Sequence, residues 1–283
     1  MAYWHFGAGR GRRLAVLAAL VAAASAAWGE GSKEVVVPPG AVVRWEGAGT
    51  QRCGLAGNEW PALEGTCFFP IDLERPAGPL RLSRWLGGER ERAVVTVGPY
   101  PYETQEITLE DDRQVHLSAE DLARHERERD QVAALWDRRG PARFALPLGA
   151  PLAKLPAAGR FGARRTFNRA PRRPHAGADY GASAGTPVLA AAEGVVALAA
   201  DHFFAGKSVY LDHGDGLFSM YFHLTRIDVE QGQEVRRGQR LGAVGSTGRA
   251  TGPHLHFGLR WRGARIDPAL LLADPRHLPA VQP

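Results

Sequence analysis

The stretch Gly252-Pro253-His254-Leu255-His256-Phe257 places two histidines two residues apart, at the end of a glycine-rich run. Residues two apart on a β-strand face the same side of the sheet, so both imidazoles would project into one space. A strand predicted over residues 254–260 therefore presents two imidazoles to the same side. Whether these two histidines belong to a metal site or are ordinary residues decides how the rest of the chain is interpreted.

Two residues far upstream complete a set of metal-binding groups. With one histidine of the pair, His175 and Asp179 supply two imidazoles and a carboxylate. Such a set, with a fourth position left for water, makes the open tetrahedral site of a hydrolytic zinc enzyme. An H-x-H or an H-x3-D alone is a weak pattern, because single histidines are commonly ordinary surface or core residues. The surrounding sequence has to decide between these interpretations.

The motifs around these residues follow one another in a recognisable order. They are His175-Ala176-Gly177-Ala178-Asp179, Gly185-Thr186-Pro187-Val188, Tyr221-Phe222-His223-Leu224, Gly232-Gln233-Glu234-Val235-Arg236-Arg237-Gly238-Gln239 and the stretch 245–257. Residues 141–273 thereby strongly resemble the lysostaphin-type (LytM-type) zinc endopeptidases, which cut peptide cross-links in bacterial peptidoglycan. The N-terminal part is similar to the small β-domain that precedes the peptidase in some Gram-negative members of that family.

The resemblance implies roles for five residues. His175, Asp179 and His256 match the family's metal ligands, which predicts one zinc ion per chain, and His223 and His254 match its two catalytic histidines. Zinc lowers the pKa of its water toward ~7 and polarises the scissile carbonyl that this water attacks. An imidazole, with an ordinary pKa near ~6.5, can take a proton from the water and return one to the leaving amine. Which histidine is the base, and which mainly stabilises the oxyanion, stays open.

One position departs from the family pattern. Some relatives carry a tyrosine six residues before the first ligand histidine, where it helps to polarise the carbonyl, and this chain has Arg169 there. We expect Asn168, Arg169 and Arg173 to bind substrate, since guanidinium groups pair well with the carboxylates of peptidoglycan stem peptides. The alternative is general arginine richness, because the chain has only three lysines. Five arginines crowd this region: Arg164, Arg165, Arg169, Arg172 and Arg173.

The remaining histidines receive structural interpretations. We expect His213 to support the fold at a strand end and His202 to line a loop. His116, His125 and His277 are expected to face solvent. None of the five belongs to the motifs that carry the family resemblance.

The first 26 residues differ from the rest of the chain. Three arginines within residues 10–13 precede an apolar run over residues 14–27, and Ala24-Ser25-Ala26 offers small residues for cleavage. This pattern is typical of a secretory signal peptide, and the run is shorter than the ~20 residues that span a bilayer. We therefore expect an exported, periplasmic protein cleaved near Ala26, with an uncleaved inner-membrane anchor as the alternative.

The charge of the mature chain argues against nucleic-acid binding. Removal of the leader's three arginines lowers the formal net charge from +5 to +2. Binding to nucleic acid requires a concentrated basic surface on the mature domain. The expected partners are therefore peptidoglycan stem peptides and cross-links, with no nucleic acid. Regulatory envelope proteins stay open as further partners, and we expect a monomer.

Cys53 and Cys67 are the only cysteines, with thirteen residues between them. In an oxidising compartment we expect such a pair to form a disulfide, the alternative being two buried thiols. Neither cysteine belongs to a C-x-x-C motif, so we expect no zinc binding by them.

Strand and turn patterns predict a mainly β protein. Short β-rich runs separated by glycine and proline predict a small N-terminal β-sandwich over residues 27–116. Ser118-Ala119-Glu120-Asp121 is a capping box that predicts a linker helix within residues 117–140. Residues 141–275 again alternate strands and turns, which predicts an antiparallel β peptidase domain with the active site in a groove. Residues 276–283 are expected to be a C-terminal tail.

Two other classes of function compete with an enzyme. Some members of the family have lost their metal ligands and act as wall-binding activators of other murein hydrolases, but all five site residues are present here. The segment 232–239 also resembles the hammerhead motif of biotinyl carrier domains, which attach their cofactor to a lysine. Lys207 lacks the Met-Lys-Met neighbours of such a lysine. The sequence therefore favours a zinc metalloendopeptidase.

The bond expected to be cut is the D-alanyl–diaminopimelate cross-link. The N-terminal part resembles Gram-negative members, and the arginines before His175 suit a substrate that bears extra carboxylates. A glycine bridge offers no carboxylate to these arginines. The chain is therefore predicted to be a D,D-endopeptidase.

Overall fold

The computed structural model describes residues 35–109, 115–157 and 159–282, and strands far outnumber helices within them. The mainly β fold predicted from the sequence is confirmed. The predicted signal peptide and its cleavage site near Ala26 lie outside the described residues. Within the described part of the chain, no helix is both long and apolar enough to cross a membrane.

The N-terminal strands form a five-stranded sheet and a two-stranded sheet around one apolar core. They are β1 (Val36–Val37), β2 (Val42–Glu46), β3 (Thr50–Leu55), β4 (Asn58–Pro61), β5 (Thr66–Pro70), β6 (Gly78–Leu86) and β7 (Glu89–Val97). The next strand, β8 (Thr104–Ile107), belongs to neither of these two sheets. The larger sheet has the order β1-β7-β6-β3-β4, and β2 pairs with β5. Trp45, Phe69 and Leu82 from the two sheets share the core with Cys53 and Cys67, which form the predicted disulfide.

The helix after this region is short and lies on the surface. Helix α1 spans Ala119–Ala133, and the hydroxyl of Ser118 accepts a hydrogen bond from the Asp121 N–H at 3.0 Å, as the capping box predicts. Residues 134–137 continue as turns. None of the residues of α1 is buried, whereas Leu135, just after it, packs against the sheet that follows.

The second half of the chain is dominated by a nine-stranded sheet. A short hairpin precedes this sheet and consists of β9 (Arg164–Phe167) and β10 (Ala170–Pro171). The nine strands of the sheet are β11 (Ala178–Gly181), β12 (Pro187–Leu189), β13 (Gly194–His202), β14 (Gly206–Asp212), β15 (Leu217–Ile227), β16 (Glu234–Val235), β17 (Arg240–Val244), β18 (His254–Trp261) and β19 (Ala264–Ile266). Helix α2 (Pro268–Leu272) follows them. Strand β15 is central, because it pairs antiparallel with β14, β17 and β18. Tyr221 and Phe257 face each other across β15 and β18 and are fully buried. The next pair, Phe222 and His256, therefore faces the opposite side.

The N-terminal strands and the second half of the chain are joined by pairing and by packing. Strand β8 pairs in parallel with β9. The rings of Phe68 and Trp261 lie 5.6 Å apart, inside one core. The segment expected to be a tail returns to β2, where the Arg44 N–H donates to the Pro279 carbonyl at 2.9 Å, and Leu278 is buried. Residues Lys33–Pro283 accordingly form one compact unit.

Candidate active site

Strand register brings two of the predicted metal ligands together. In the pairing of β11 with β18, Asp179 lies opposite His256 and Tyr180 lies opposite Leu255. Tyr180 and Leu255 are buried in the core. Because side chains alternate along a strand, Asp179 and His256 face the other side as neighbours. Backbone pairing alone therefore places the carboxylate beside the imidazole.

Three ligand atoms converge at this point. His175 Nε2 lies 2.8 Å from His256 Nδ1 and 3.0 Å from Asp179 Oδ1, and His256 Nδ1 lies 2.9 Å from that same oxygen. His175 Nδ1 donates to the Arg160 carbonyl at 2.9 Å, which leaves the Nε2 lone pair directed at the cluster. Two imidazole nitrogens and a carboxylate oxygen are a donor set that zinc prefers. The residues present therefore fit a divalent metal ion.

Gly177 makes room for the third ligand. A Cβ atom at this position would overlap the imidazole of His256 and the carbonyl oxygen of Phe257. Neither group can retreat easily, because one belongs to the ligand cluster and the other to the ladder of β18. The close approach of this segment to β18 thus requires the glycine of the His-Ala-Gly-Ala-Asp motif.

Arg165 holds the other oxygen of Asp179. Its Nη2 donates to Asp179 Oδ2 at 2.7 Å, and the two side chains are only 15% and 20% exposed. Burial alone would raise the pKa of Asp179, but hydrogen bonds with His175 and His256 outweigh it and lower this pKa below its ordinary value. Asp179 is therefore ionised, with Oδ1 facing the histidines and Oδ2 facing the arginine.

His223 lies beside the three residues His175, Asp179 and His256, called the triad below, at an irregularity in β15. The register of β14 against β15 shifts here, and His223 has a φ of 63°, which is uncommon for a residue other than glycine. Its N–H donates to the Ala205 carbonyl at 2.9 Å, and its Nδ1 donates to the Thr247 carbonyl at 2.9 Å. A bulge of this kind turns a side chain away from the regular alternation. Here it directs the imidazole of His223 into the site.

His254 lies beside His223 in the site. Its Nδ1 donates to the Gly252 carbonyl at 2.8 Å, and its Nε2 lies 3.8 Å from Asp179 Oδ1. The ring centroids of His254 and His223 are 4.8 Å apart. The Nδ1 atoms of both rings are therefore held by backbone carbonyls.

Burial keeps the imidazoles of His175 and His223 neutral. It lowers the pKa of His175 to about 4. It also lowers the pKa of His223 to about 3, with the neighbouring His256 and His254 acting in the same direction. A neutral imidazole has the lone pair that a metal ligand or a proton acceptor needs.

Comparison with known proteins agrees with this geometry. The sequence profile described as "Peptidase family M23" matches residues 173–268. A crystal structure from Pseudomonas aeruginosa assigned to peptidase M23 is 34% identical with a TM-score of 0.65, over 85% of this chain and 96% of that chain. The chain belongs to peptidase family M23.

Curated relatives of this M23 chain include two peptidoglycan DD-endopeptidases of Vibrio cholerae. ShyA is 46% identical over 94 residues, which is 33% of this chain and 22% of ShyA. ShyC is 36% identical over 140 residues, which is 49% of this chain and 32% of ShyC. The chain thus matches less than a third of the length of these two relatives.

A groove of about 550 Å³ opens beside the triad. Phe222, His223 and His256 line its floor, where the Phe222 ring stacks on the His256 ring with centroids 5.1 Å apart. Its rim carries four arginines: Arg165, Arg172, Arg173 and Arg249. Among the described residues that line the groove, there is no aspartate or glutamate. The rim is therefore strongly cationic.

The structure separates the three residues expected to bind substrate. Arg173 lines the groove. Asn168 instead contacts Leu109, whose N–H donates to the amide oxygen at 2.8 Å and whose carbonyl accepts from the amide nitrogen at 3.1 Å. Arg169 is exposed at the turn between β9 and β10, with a φ of 68°, and does not line the groove. Asn168 and Arg169 thus lie in one turn, and neither residue lines the groove.

Sequence reasoning missed two residues of the groove. Arg249 was not singled out, although it stands shortly before His254 in the glycine-rich run that precedes the H-x-H pair. His125 was expected to face solvent, but it lines the groove, with its ring centroid 4.8 Å from that of Phe204. His125 lies in helix α1, and the sequence of a charged surface helix does not show which of its residues contact the groove.

His213 is a buried residue that supports the nine-stranded sheet through hydrogen bonds. It is fully buried, its Nδ1 donates to the Glu193 carbonyl at 2.7 Å, and its Nε2 lies 2.7 Å from Ser219 Oγ. Ser219 Oγ lies 3.0 Å from Tyr221 Oη, which accepts from the Ala191 N–H at 2.8 Å. Burial lowers the pKa of His213 to about 4. A neutral imidazole thus completes a buried polar chain under β15.

Proposed function

We propose that this chain is a zinc-dependent murein endopeptidase that hydrolyses the D-alanyl–diaminopimelate cross-link of peptidoglycan. The observation that carries the proposal is the convergence of His175 Nε2, Asp179 Oδ1 and His256 Nδ1 within 3.0 Å of one another beside an open groove. ShyA and ShyC are named peptidoglycan DD-endopeptidases, which supports the same reaction here.

His175, Asp179 and His256 would hold the zinc ion through these three atoms. When bound, zinc supplies Lewis acidity to the scissile carbonyl and to the attacking water. Three protein ligands leave room for substrate at the remaining position. Arg165 occupies Oδ2 of Asp179, so a single carboxylate oxygen faces the site.

His223 and His254 would move the protons of the reaction. Both rings donate Nδ1–H to backbone carbonyls, so the neutral form of each ring has its lone pair on Nε2. One of them takes a proton from the attacking water through Nε2. The resulting Nε2–H then stabilises the developing oxyanion or passes its proton to the leaving amine. Proton transfer therefore needs no movement of either ring away from its carbonyl.

The cationic rim supports an acidic peptide as substrate. Arg173 and the other rim arginines suit a cross-link whose diaminopimelate carries a free carboxylate. Glycine bridges have no side chain and no carboxylate for these groups. This difference favours the D-alanyl–diaminopimelate bond over a glycine bridge.

The competing function is that of a non-catalytic, wall-binding activator of other murein hydrolases. An activator needs no metal ligands, whereas this chain has a complete and converged set, which favours the enzyme. Because peptidoglycan lies outside the cytoplasm, the proposal includes export to the periplasm through the predicted signal peptide. A monomeric enzyme and regulatory envelope proteins belong to the same proposal.

The test uses the zinc-loaded chain without its predicted leader. It is incubated with purified sacculi, with D-alanyl–diaminopimelate dimers and, separately, with pentaglycine, and the products are identified by mass spectrometry. We expect conversion of dimers to monomers and no cleavage of pentaglycine. The His256→Ala variant should cleave neither the dimers nor the sacculi. Cleavage of pentaglycine alone would overturn the assigned bond. Stimulation of a second hydrolase without any cleavage would instead establish the activator.

A further inference from the structure

Thr247 lies in the glycine-rich run before His254 and bridges two strands of the nine-stranded sheet. Its hydroxyl donates to the Leu224 carbonyl of β15 at 2.7 Å and accepts from the Lys207 N–H of β14 at 2.9 Å. Lys207 and Leu224 are register partners, and the register of β14 against β15 shifts directly after Lys207. The hydroxyl of Thr247 therefore joins the two strands at the irregularity next to His223.

The backbone carbonyl of the same threonine holds the ring of His223. It accepts a hydrogen bond from His223 Nδ1 at 2.9 Å. Such a bond selects the tautomer whose lone pair is on Nε2 and limits rotation of the ring. Thr247 thus contacts both the irregularity that turns His223 out of the regular alternation and the imidazole that this turn presents to the site.

Gly206, at the start of β14, leaves the space that Thr247 occupies. A Cβ atom at this position would overlap both the hydroxyl and the carbonyl of Thr247. Gly206 also has a φ of 62°, which glycine adopts without strain. A side chain here would displace the two groups through which Thr247 reaches the strands and His223. The sequence at position 206 therefore allows the close approach on which these hydrogen bonds depend.

We propose that Thr247 is a positioning residue for His223: its hydroxyl fixes the irregularity of β15, and its carbonyl holds the imidazole in the tautomer and orientation that proton transfer needs. The inference rests on the proposed function, in which His223 moves protons of the reaction. Thr247 does not line the groove, so it acts through His223 and not on the substrate. A threonine that only stabilised the sheet would change the free energy of unfolding without changing kcat of the folded enzyme.

The experiment compares variants that differ in one hydroxyl. kcat and KM on D-alanyl–diaminopimelate dimers, zinc content and urea unfolding are measured for the zinc-loaded wild-type chain, Thr247→Val and Thr247→Ser. Valine keeps the shape of the side chain and removes both hydroxyl hydrogen bonds, whereas serine keeps the hydroxyl. Thr50→Val is the matched control, because Thr50 is buried in β3 and its hydroxyl donates to the Gly47 carbonyl at 2.7 Å.

Thr247→Val should keep its zinc and a KM near that of wild type, because neither the ligands nor the groove is changed. Its kcat should fall by about 10- to 100-fold, the usual scale for the loss of a group that orients a reacting side chain. Thr247→Ser should restore most of kcat. Thr50→Val should lower the free energy of unfolding and leave kcat unchanged. A wild-type kcat in Thr247→Val would overturn the inference.

A double variant tests whether Thr247 acts through His223. Residues that act as a unit give effects that do not add. Thr247→Val should therefore cause no further loss of kcat when it is introduced into His223→Ala. The same fold-loss in His223→Ala as in the wild-type chain would place the action of Thr247 elsewhere and overturn the inference.

The tautomer of His223 provides a readout that depends neither on catalysis nor on the folding of Thr247→Val. In the chain labelled with ¹⁵N-histidine, the NMR signals of His223 are those that disappear in His223→Ala. They should show a proton on Nδ1 in the wild-type chain and in Thr247→Ser, and a proton on Nε2 in the wild-type chain would overturn the inference. If the wild-type chain cleaved no dimer, the proposed function would fail, whereas this measurement would still decide whether Thr247 orients the ring.

Discussion

The floor and the rim of the groove are built in different ways. On the floor, His256 sits on β18, and the register of β18 with β11 sets its separation from Asp179. On the rim, Arg173 and Arg249 lie outside the strands, and their positions depend on turns and on contacts with aromatic rings. Rigid elements hold groups that tolerate little displacement, whereas loops are where specificity can vary. Under the proposed function, we therefore expect substitutions on the floor to affect the reaction itself and substitutions on the rim to affect the choice of substrate.

The strongest test of the floor removes one ligand. His256→Ala should lose the bound metal and reduce the cleavage of dimers by more than ~10³-fold, because a metal ion supplies several kcal/mol of transition-state stabilisation. Elemental analysis should find one zinc per wild-type chain and less than a tenth of an equivalent in the variant. His277→Ala, which changes an exposed histidine, is the control and should match wild type in both measurements. A full equivalent of zinc in His256→Ala would remove His256 from the ligand set.

The two histidines that flank the triad should separate metal binding from proton transfer. His223→Ala and His254→Ala should each keep the zinc and lose ~10²- to 10⁴-fold in kcat, the range for general acid–base groups. Zinc content and kcat on dimers are measured on the same preparations. A near wild-type rate in either variant would exclude that histidine from proton transfer.

How far the position of each residue could be predicted from the sequence followed the same division. The H-x-H pair needs only the two-residue alternation of a strand to place His254 and His256 on one side, and sequence shows that alternation directly. Asn168 and Arg169 adopt positive φ values in a turn whose direction depends on Leu109, which is distant in sequence. No local pattern contains that contact. Arg249 was missed for a similar reason, since its position depends on two phenylalanines from separate segments.

Acid should weaken the sheet that carries the floor, through His213. Burial lowers the pKa of His213 to about 4, whereas a histidine in an unfolded chain titrates near ~6.5. Between these values the unfolded chain binds the extra proton, so the free energy of unfolding falls as the pH drops from about 6.5 to 4. The difference between the two pKa values corresponds to about 3 kcal/mol.

Urea unfolding of wild type and His213→Gln between pH 4 and 7 measures this contribution. The variant should show a shallower loss of unfolding free energy across that window, because its side chain at position 213 does not titrate. Identical pH dependence in the two proteins would mean that His213 does not control the acid sensitivity of the sheet.

The smallest expected effect comes from a pair of arginines on one hairpin. Arg165→Met should lower metal affinity or activity by about 10- to 100-fold, the usual cost of removing a partner that orients a metal ligand. Arg169→Met, four residues away, should stay within about twofold, because exposed substitutions remote from such contacts change little. Metal competition titrations and kcat/KM on dimers measure both variants. Equal effects of the two substitutions would contradict the distinction between Arg165, which donates to Asp179, and Arg169, which does not line the groove.

The parallel pairing of β8 with β9 has a consequence for how this protein can be cut and recombined. The family match begins at residue 173, after β9, so a fragment trimmed to that boundary would discard Arg165 together with its strand. A cut at residue 141 would keep β9 but remove β8, the strand that pairs with it. The smallest transplantable module is therefore larger than the segment that the family profile matches. Gene fusions and chimaeras should exchange residues 33–283 as one piece.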